Sequence, residues 1–185
     1  MQSARFGPDG QFKILRNGEL YKATKAGWER MSDSPAGLYI RNETFSNRYG
    51  LEAARHRVVA THFVYNPRPG EFIYVDHING NKLDNRAENL RWVNKSLNQL
   101  NRKSKTCKAD PRLRERPHMA RQRFLNKLYS LRHFATEQEA IDYMNEVRRE
   151  CFDKLYWWYT HPNTIADPET WKLTKYGLKF PEVSD

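Results

Sequence analysis

VDHINGNKLDNRAENLRW, residues 75–92, begins like one arm of a β-hairpin and then departs from that pattern. Asn79-Gly80 is a strong tight-turn signal. The turn leads into a polar run, and the stretch as a whole holds four asparagines, two arginines and a histidine beside an aspartate. A two-residue turn needs far fewer polar groups. Such groups suit the holding of a metal, a phosphate or water.

Two metal-binding patterns fail on spacing and composition. A calcium loop of the EF-hand kind needs oxygen ligands at its first, third and fifth positions, glycine at the sixth and glutamate at the twelfth. Counted from Asp76, those places include Ile78, Asn81 and Ala87, which excludes it. A zinc site needs more Cys and His than the region supplies. A single-ion phosphodiesterase site fits better. It needs a hard cation held by few protein oxygens and a base that titrates near neutrality. Asp76 and His77 are adjacent at the end of a strand, so their side chains point to opposite sides.

Working outward, EFIYVDH (71–77) and NLRWV (89–93) are two strands. NKSLNQLNRKSK (94–105) is a polar, basic helix that Asn94 can cap. Asn98 and Asn101 share a face of it at i, i+3, and one could supply a second oxygen ligand. Upstream, LEAARHRVVATHFVY (51–65) has helical spacing and is broken by NPRPG (66–70).

Asp76-His77, the loop NGNKLDNRAEN, LRWV and a helix carrying Asn98 resemble the HNH nuclease motif of phage and intron-encoded homing endonucleases. The resemblance runs from about Arg55 to Arg102 and takes in HRVVATHFVYNP. It implies a ββα-metal fold and one Mg²⁺ or Mn²⁺ per active site. It makes Asp76 a metal ligand and His77 the general base. Asn89 becomes the middle residue that braces the loop and orients His77. Asn98 becomes the second ligand in place of the usual histidine, with Asn101 as its substitute. Arg86 and Arg91 either contact the scissile phosphate or are structural, and His56 and His62 read as helix or core residues.

The charge is concentrated elsewhere. The 185-residue chain carries a net +10, with 38% hydrophobic and 29% charged residues and a mean hydropathy of −0.93. Residues 94–135 hold 12 basic and 2 acidic side chains, an excess equal to that of the whole chain. A segment this basic is the expected footprint of a nucleic-acid-binding surface. No apolar run is long enough to span a membrane, and MQSARFGPDG lacks the apolar core of a secretion signal. Cys107 and Cys151 match neither a disulfide framework nor a C-x-x-C zinc knuckle. These features predict an intracellular protein of the host cytoplasm.

At the N-terminus, Asn17-Gly18 sits between two β-prone runs in FKILRNGELYKAT, and GLYIR (37–41) adds a further strand. Whether this region completes the nuclease core or contacts DNA is left open by the sequence. At the other end, HMARQRF and LYSLRHF flank a turn at Asn126-Lys127. Thr136 and Glu139 form a capping box that opens an amphipathic helix containing Ala140, Ile141, Met144, Val147, Cys151, Phe152 and Leu155. Residues 117–158 resemble the DNA-binding domain of plant ethylene-response factors, a small sheet backed by a helix, although no first strand is apparent. The resemblance implies that Arg121, Arg123 and Arg132 face DNA.

The expected fold class is α+β. Residues 1–50 form a β-rich region, 51–105 the nuclease core, 106–116 a basic linker, 117–158 the sheet-plus-helix module and 159–185 a tail packing on the rest. The expected function is a monomeric, metal-dependent endonuclease that nicks or cleaves double-stranded DNA. The rivals are a nonspecific or structure-specific nuclease and a catalytically idle DNA-binding regulator.

Overall fold

The computed structural model describes residues 2–32, 34–36, 39–41, 50–52, 54–124, 127–161, 172–174 and 177–179. They fall into two compact units, 1–95 and 96–185. Both mix strands and helices, so the chain is α+β as expected.

The first unit opens with four antiparallel strands in sequential order: β1 (Ser3–Phe6), β2 (Phe12–Leu15), β3 (Leu20–Thr24) and β4 (Gly27–Arg30). A short hairpin of β5 (Ser34–Ala36) and β6 (Tyr39–Arg41) follows, then helix α1 (Arg55–Phe63). The hairpin of β7 (Tyr74–His77) and β8 (Leu90–Val93) completes the unit.

Alternation along β2 and β3 turns Phe12, Ile14 and Leu20 to one face. They pack with Val58, Val59 and Ala60 of α1 and with Val75, Ala87 and Leu90 around the β7–β8 hairpin. Burying a side chain of the size of Phe, Ile or Leu contributes about 1.5–3 kcal/mol. The N-terminal strands therefore share one core with α1 and the β7–β8 hairpin. Its other face carries a transverse row of Arg5, Lys13, Tyr21 and Arg30 in register. Arg5 and Lys13 also lie over the Trp28 ring at 5.2 and 4.7 Å.

The β2–β3 turn, at the expected Asn17-Gly18, does more than reverse the chain. Its Gly18 adopts φ +90°, and a Cβ there would lie 3.0 Å from the backbone oxygen of Asn85. The Arg16 carbonyl accepts from the Ala87 N–H at 2.9 Å, and the Gly18 carbonyl accepts from Arg55 Nη1 at 2.7 Å. The turn is thus seated on the loop between β7 and β8.

In the second unit, α2 (Lys95–Leu100) begins at the boundary and is followed by β9 (Lys108–Ala109), β10 (His118–Phe124) and β11 (Lys127–Phe134). These strands form an antiparallel sheet in the order β11-β10-β9. β9 thus adds a third, edge strand to the β10–β11 pair. Residues 106–116, expected as a linker, instead contain this edge strand and most of its return loop. The pairing needs only two residues, too short for a strand pattern to register in the sequence.

Helix α3 (Glu137–Thr160) starts at the expected capping box: Thr136 and Glu139 each accept from the other's backbone N–H. Six of the seven apolar residues read from its pattern are buried, and Ile141 is half-buried. The helix runs on through Tyr156, Trp157 and Trp158, which the sequence placed at the module's end and in the start of the tail. Ala120 of β10 packs on Ala140 and Met144. Strands β12 (Lys172–Thr174) and β13 (Gly177–Lys179) pair as a short hairpin. Asn126 of the expected turn and Trp171 lie outside the described residues.

Replacing Gly18 with alanine places a side chain in a strained backbone region and against the Asn85 carbonyl. We expect Gly18→Ala to lower stability by about 1–3 kcal/mol, the usual range for such strain. Chemical denaturation of the two proteins measures it.

Candidate active site

Strand β7 ends in Asp76 and His77, and its register with β8 sets what each meets. Asp76 stands opposite Arg91, and His77 opposite Leu90. Asp76 is 7% exposed, and its Oδ2 accepts from Arg91 Nε at 3.0 Å. His77 is 5% exposed and occupies the alternate face, as the pleat requires. Its Nε2 lies 3.1 Å from Asn85 Oδ1, and its ring packs 5.2 Å from the ring of His56.

The asparagines between the strands brace one another and the loop backbone. Asn79 Oδ1 accepts from the Asn81 N–H, and Asn81 Oδ1 accepts from the Leu83 N–H. The Asn79 side chain also donates to Asp84, which receives both Nε and Nη2 of Arg86 at 2.8 Å. Asn89 spans the loop: its Oδ1 accepts from the Asn79 N–H and its Nδ2 donates to the Asp84 carbonyl.

This separates two roles that the sequence reading assigned to Asn89. It braces the loop, but its amide is committed to Asn79 and Asp84. Asn85, which the sequence reading passed over, hydrogen-bonds the His77 ring at Nε2. Arg86 is exposed but forked onto Asp84, whereas Arg91 is mostly buried beside Asp76. His62 is an exposed helix residue whose ring packs against Phe6 and Phe63, and the partial desolvation lowers its pKa. Asn98, half-buried on α2, belongs to the second unit.

The donor chemistry is oxygen-rich and sparse. Among the described residues no three His, Cys, Asp or Glu side chains cluster to hold a metal. A carboxylate offers about four lone-pair directions, so the Arg91 bond uses part of the capacity of Asp76. A lone carboxylate of this kind suits a hard cation that keeps most of its water.

In the second unit, cross-strand partners share a face, which sorts the arginines. Ala120 is buried against α3 and stands opposite Arg132, so Arg132 lies on the helix side of the sheet, over the Tyr143 ring at 5.0 Å. Arg132 is exposed like Arg121 and Arg123, but it lies on the other face of the sheet. Arg121 and Arg123 are exposed on the opposite face, with Leu131 and His133. Beside His133, the β9–β10 loop forms an open cavity of about 420 Å³ lined by Arg112, Arg114 and Arg116.

Residues 53–100 match the family model described as HNH endonuclease. That stretch, about a quarter of the chain, is thus similar to HNH endonucleases. It is similar to DNA endonuclease I-HmuI of Bacillus phage SP01, with 34% identity over 99 residues, 54% of this chain and 55% of that protein. It is also similar to the uncharacterized HNH endonuclease L247 of Acanthamoeba polyphaga mimivirus, with 60% identity over 43 residues, 23% of this chain and 11% of that protein. A solved structure described as DNA binding and cleavage by the HNH homing endonuclease I-HmuI is 31% identical. Its TM-score is 0.42, covering 54% of this chain and 56% of that one. The chain thus spans about half the length of I-HmuI.

The loop has a pH signature. The hydrogen bonds from Arg86 hold the Asp84 carboxyl down at about 2, from a usual value of 3.8. A depressed folded-state pKa stabilises above the unfolded pKa and is lost as pH falls through the folded one. We expect the wild-type loop contribution to fade between pH 3.8 and about 2. Denaturation curves for Asp84→Asn should show a flatter pH dependence in that window.

Proposed function

We propose that this chain is a metal-dependent DNA endonuclease of the phage homing kind, acting as a monomer on double-stranded DNA. The observation that carries the reading is the pair Asp76 and His77 on opposite faces of one strand end, inside a domain matched to HNH endonucleases. HNH endonucleases are metal-dependent. Asp76 is the proposed ligand for one Mg²⁺ or Mn²⁺, with Asn98 on the following helix as second oxygen ligand on sequence grounds. When bound, such an ion offers positive charge to the phosphate and the leaving 3′ oxygen.

His77 takes a proton from the attacking water, and in-line displacement yields 5′-phosphate and 3′-hydroxyl ends. Arg91 holds the Asp76 carboxylate in place through Oδ2. Asn89 keeps the two ends of the loop together, so that Asp84 and Asn79 cannot drift from the strands. One active site per monomer favours nicking of one strand.

Sequence choice falls to the elements around this site, since phosphate contacts alone carry no base information. The exposed face of the β9–β11 sheet, with Arg121, Arg123 and the Arg112–Arg116 loop, is the proposed DNA surface of the second unit. The basic and aromatic outer face of the N-terminal sheet is a second candidate for backbone contact.

Wild type and His77→Ala, incubated with long duplex DNA with and without Mg²⁺, decide the catalytic reading. Wild type should cut only with metal, and the variant should bind while cutting about 10²–10⁴-fold more slowly, the usual worth of a general base. Binding without cutting by both proteins would identify a DNA-binding regulator. For the surface, neutralising Arg121 and Arg123 together should reduce the salt-dependence slope of binding by about 2, near 0.9 per lost phosphate contact. An unchanged slope places those arginines away from phosphate.

A further inference from the structure

We infer that Asn85 is the positioning residue of His77, setting which ring nitrogen carries the proton, and that the N-terminal turn holds Asn85 in place. The inference rests on the proposed role of His77 as base.

The tautomer follows from the direction of two hydrogen bonds. Asn85 Nδ2 donates to the Leu83 carbonyl at 3.4 Å, which turns Oδ1 toward the imidazole. An amide oxygen only accepts, so at 3.1 Å it requires a hydrogen on His77 Nε2. A neutral ring with its hydrogen on Nε2 keeps its lone pair on Nδ1. The opposite tautomer would set two lone pairs against each other where both residues are 5% exposed and water cannot relieve the clash. Nδ1 is therefore the atom that accepts a proton from water in the proposed reaction.

Asn85 is held from its backbone side. Gly18 closes on it so tightly that a Cβ would meet the Asn85 oxygen at 3.0 Å and its carbonyl carbon at 3.3 Å. The Gly18 carbonyl is in turn gripped by Arg55 Nη1 at 2.7 Å, at the first residue of α1. Two residues beyond Asn85, the Ala87 N–H donates to the Arg16 carbonyl. A continuous run of contacts thus joins the N-terminal sheet to the imidazole, although the turn lies nearly sixty residues earlier in the chain.

The test uses the full chain, labelled with ¹⁵N and free of metal. Long-range proton–nitrogen spectra report the tautomer of each neutral histidine, and His77→Ala assigns the His77 signals. Wild type should show Nε2–H, Asn85→Asp should retain it because its oxygen still accepts, and Asn85→Leu should lose the preference. In metal-dependent cleavage, Asn85→Asp should remain active, whereas Asn85→Leu should slow by about 10²-fold or more, approaching loss of the base. DNA binding by the leucine variant should not change. An Nδ1–H signal in wild type overturns the inference whether or not any variant folds. So does a leucine variant with an unchanged tautomer and wild-type cleavage. If wild type cuts no DNA, the proposed function fails, while the spectra still decide the Asn85–His77 relation.

Discussion

A buried guanidinium organises the first unit. Arg55 is 4% exposed, and a charge that deep must be hydrogen-bonded to persist. Its Nη1 donates to the Gly18 carbonyl, which sits at the tip of the β2–β3 hairpin. This bond fixes where the N-terminal sheet meets α1, and the turn then lies against Asn85 and Ala87 of the β7–β8 loop. Sheet, helix and loop share one core, and the polar contact decides their alignment within it. Apolar burial supplies the driving force but is not directional.

The loop itself shows why so many asparagines occur in so short a stretch. Each amide both donates and accepts, so a chain of them can satisfy backbone groups that no strand or helix pairs. Asn79, Asn81 and Asn89 serve that purpose, with Asp84 and Arg86 as a charged clasp. Asn85 is the exception, because its oxygen is turned on the imidazole. Rigidity in the loop thereby passes to Asp76 and His77, the two residues proposed to carry the chemistry.

In the second unit a sheet of three strands rests on α3, and the two faces of that sheet are chemically distinct. One face holds Ala120 against Ala140 and Met144, with Ser130 bonded to Tyr143 and Arg132 laid over the same ring. The other presents Arg121, Arg123 and the 47% exposed Leu131. Arg132 is exposed like Arg121 and Arg123, but it alone of the three lies over the Tyr143 ring.

The sequence by itself determined the elements whose signals are local. These are the Asn17-Gly18 turn, the β7 and β8 strands, the capped helix after Thr136 and the Asp76-His77 pair with its loop. Turn propensity, residue periodicity and capping act over a few neighbours, and the motif is contiguous. Only the tertiary structure decided what depends on distant partners. It seated Gly18 on Asn85, gave the His77 ring to Asn85 instead of Asn89, turned residues 108–109 into an edge strand and moved Arg132 to the helix side. Each of these is set by which surface another part of the chain brings against it. A loop asparagine or a strand arginine looks the same in sequence whichever neighbour it meets.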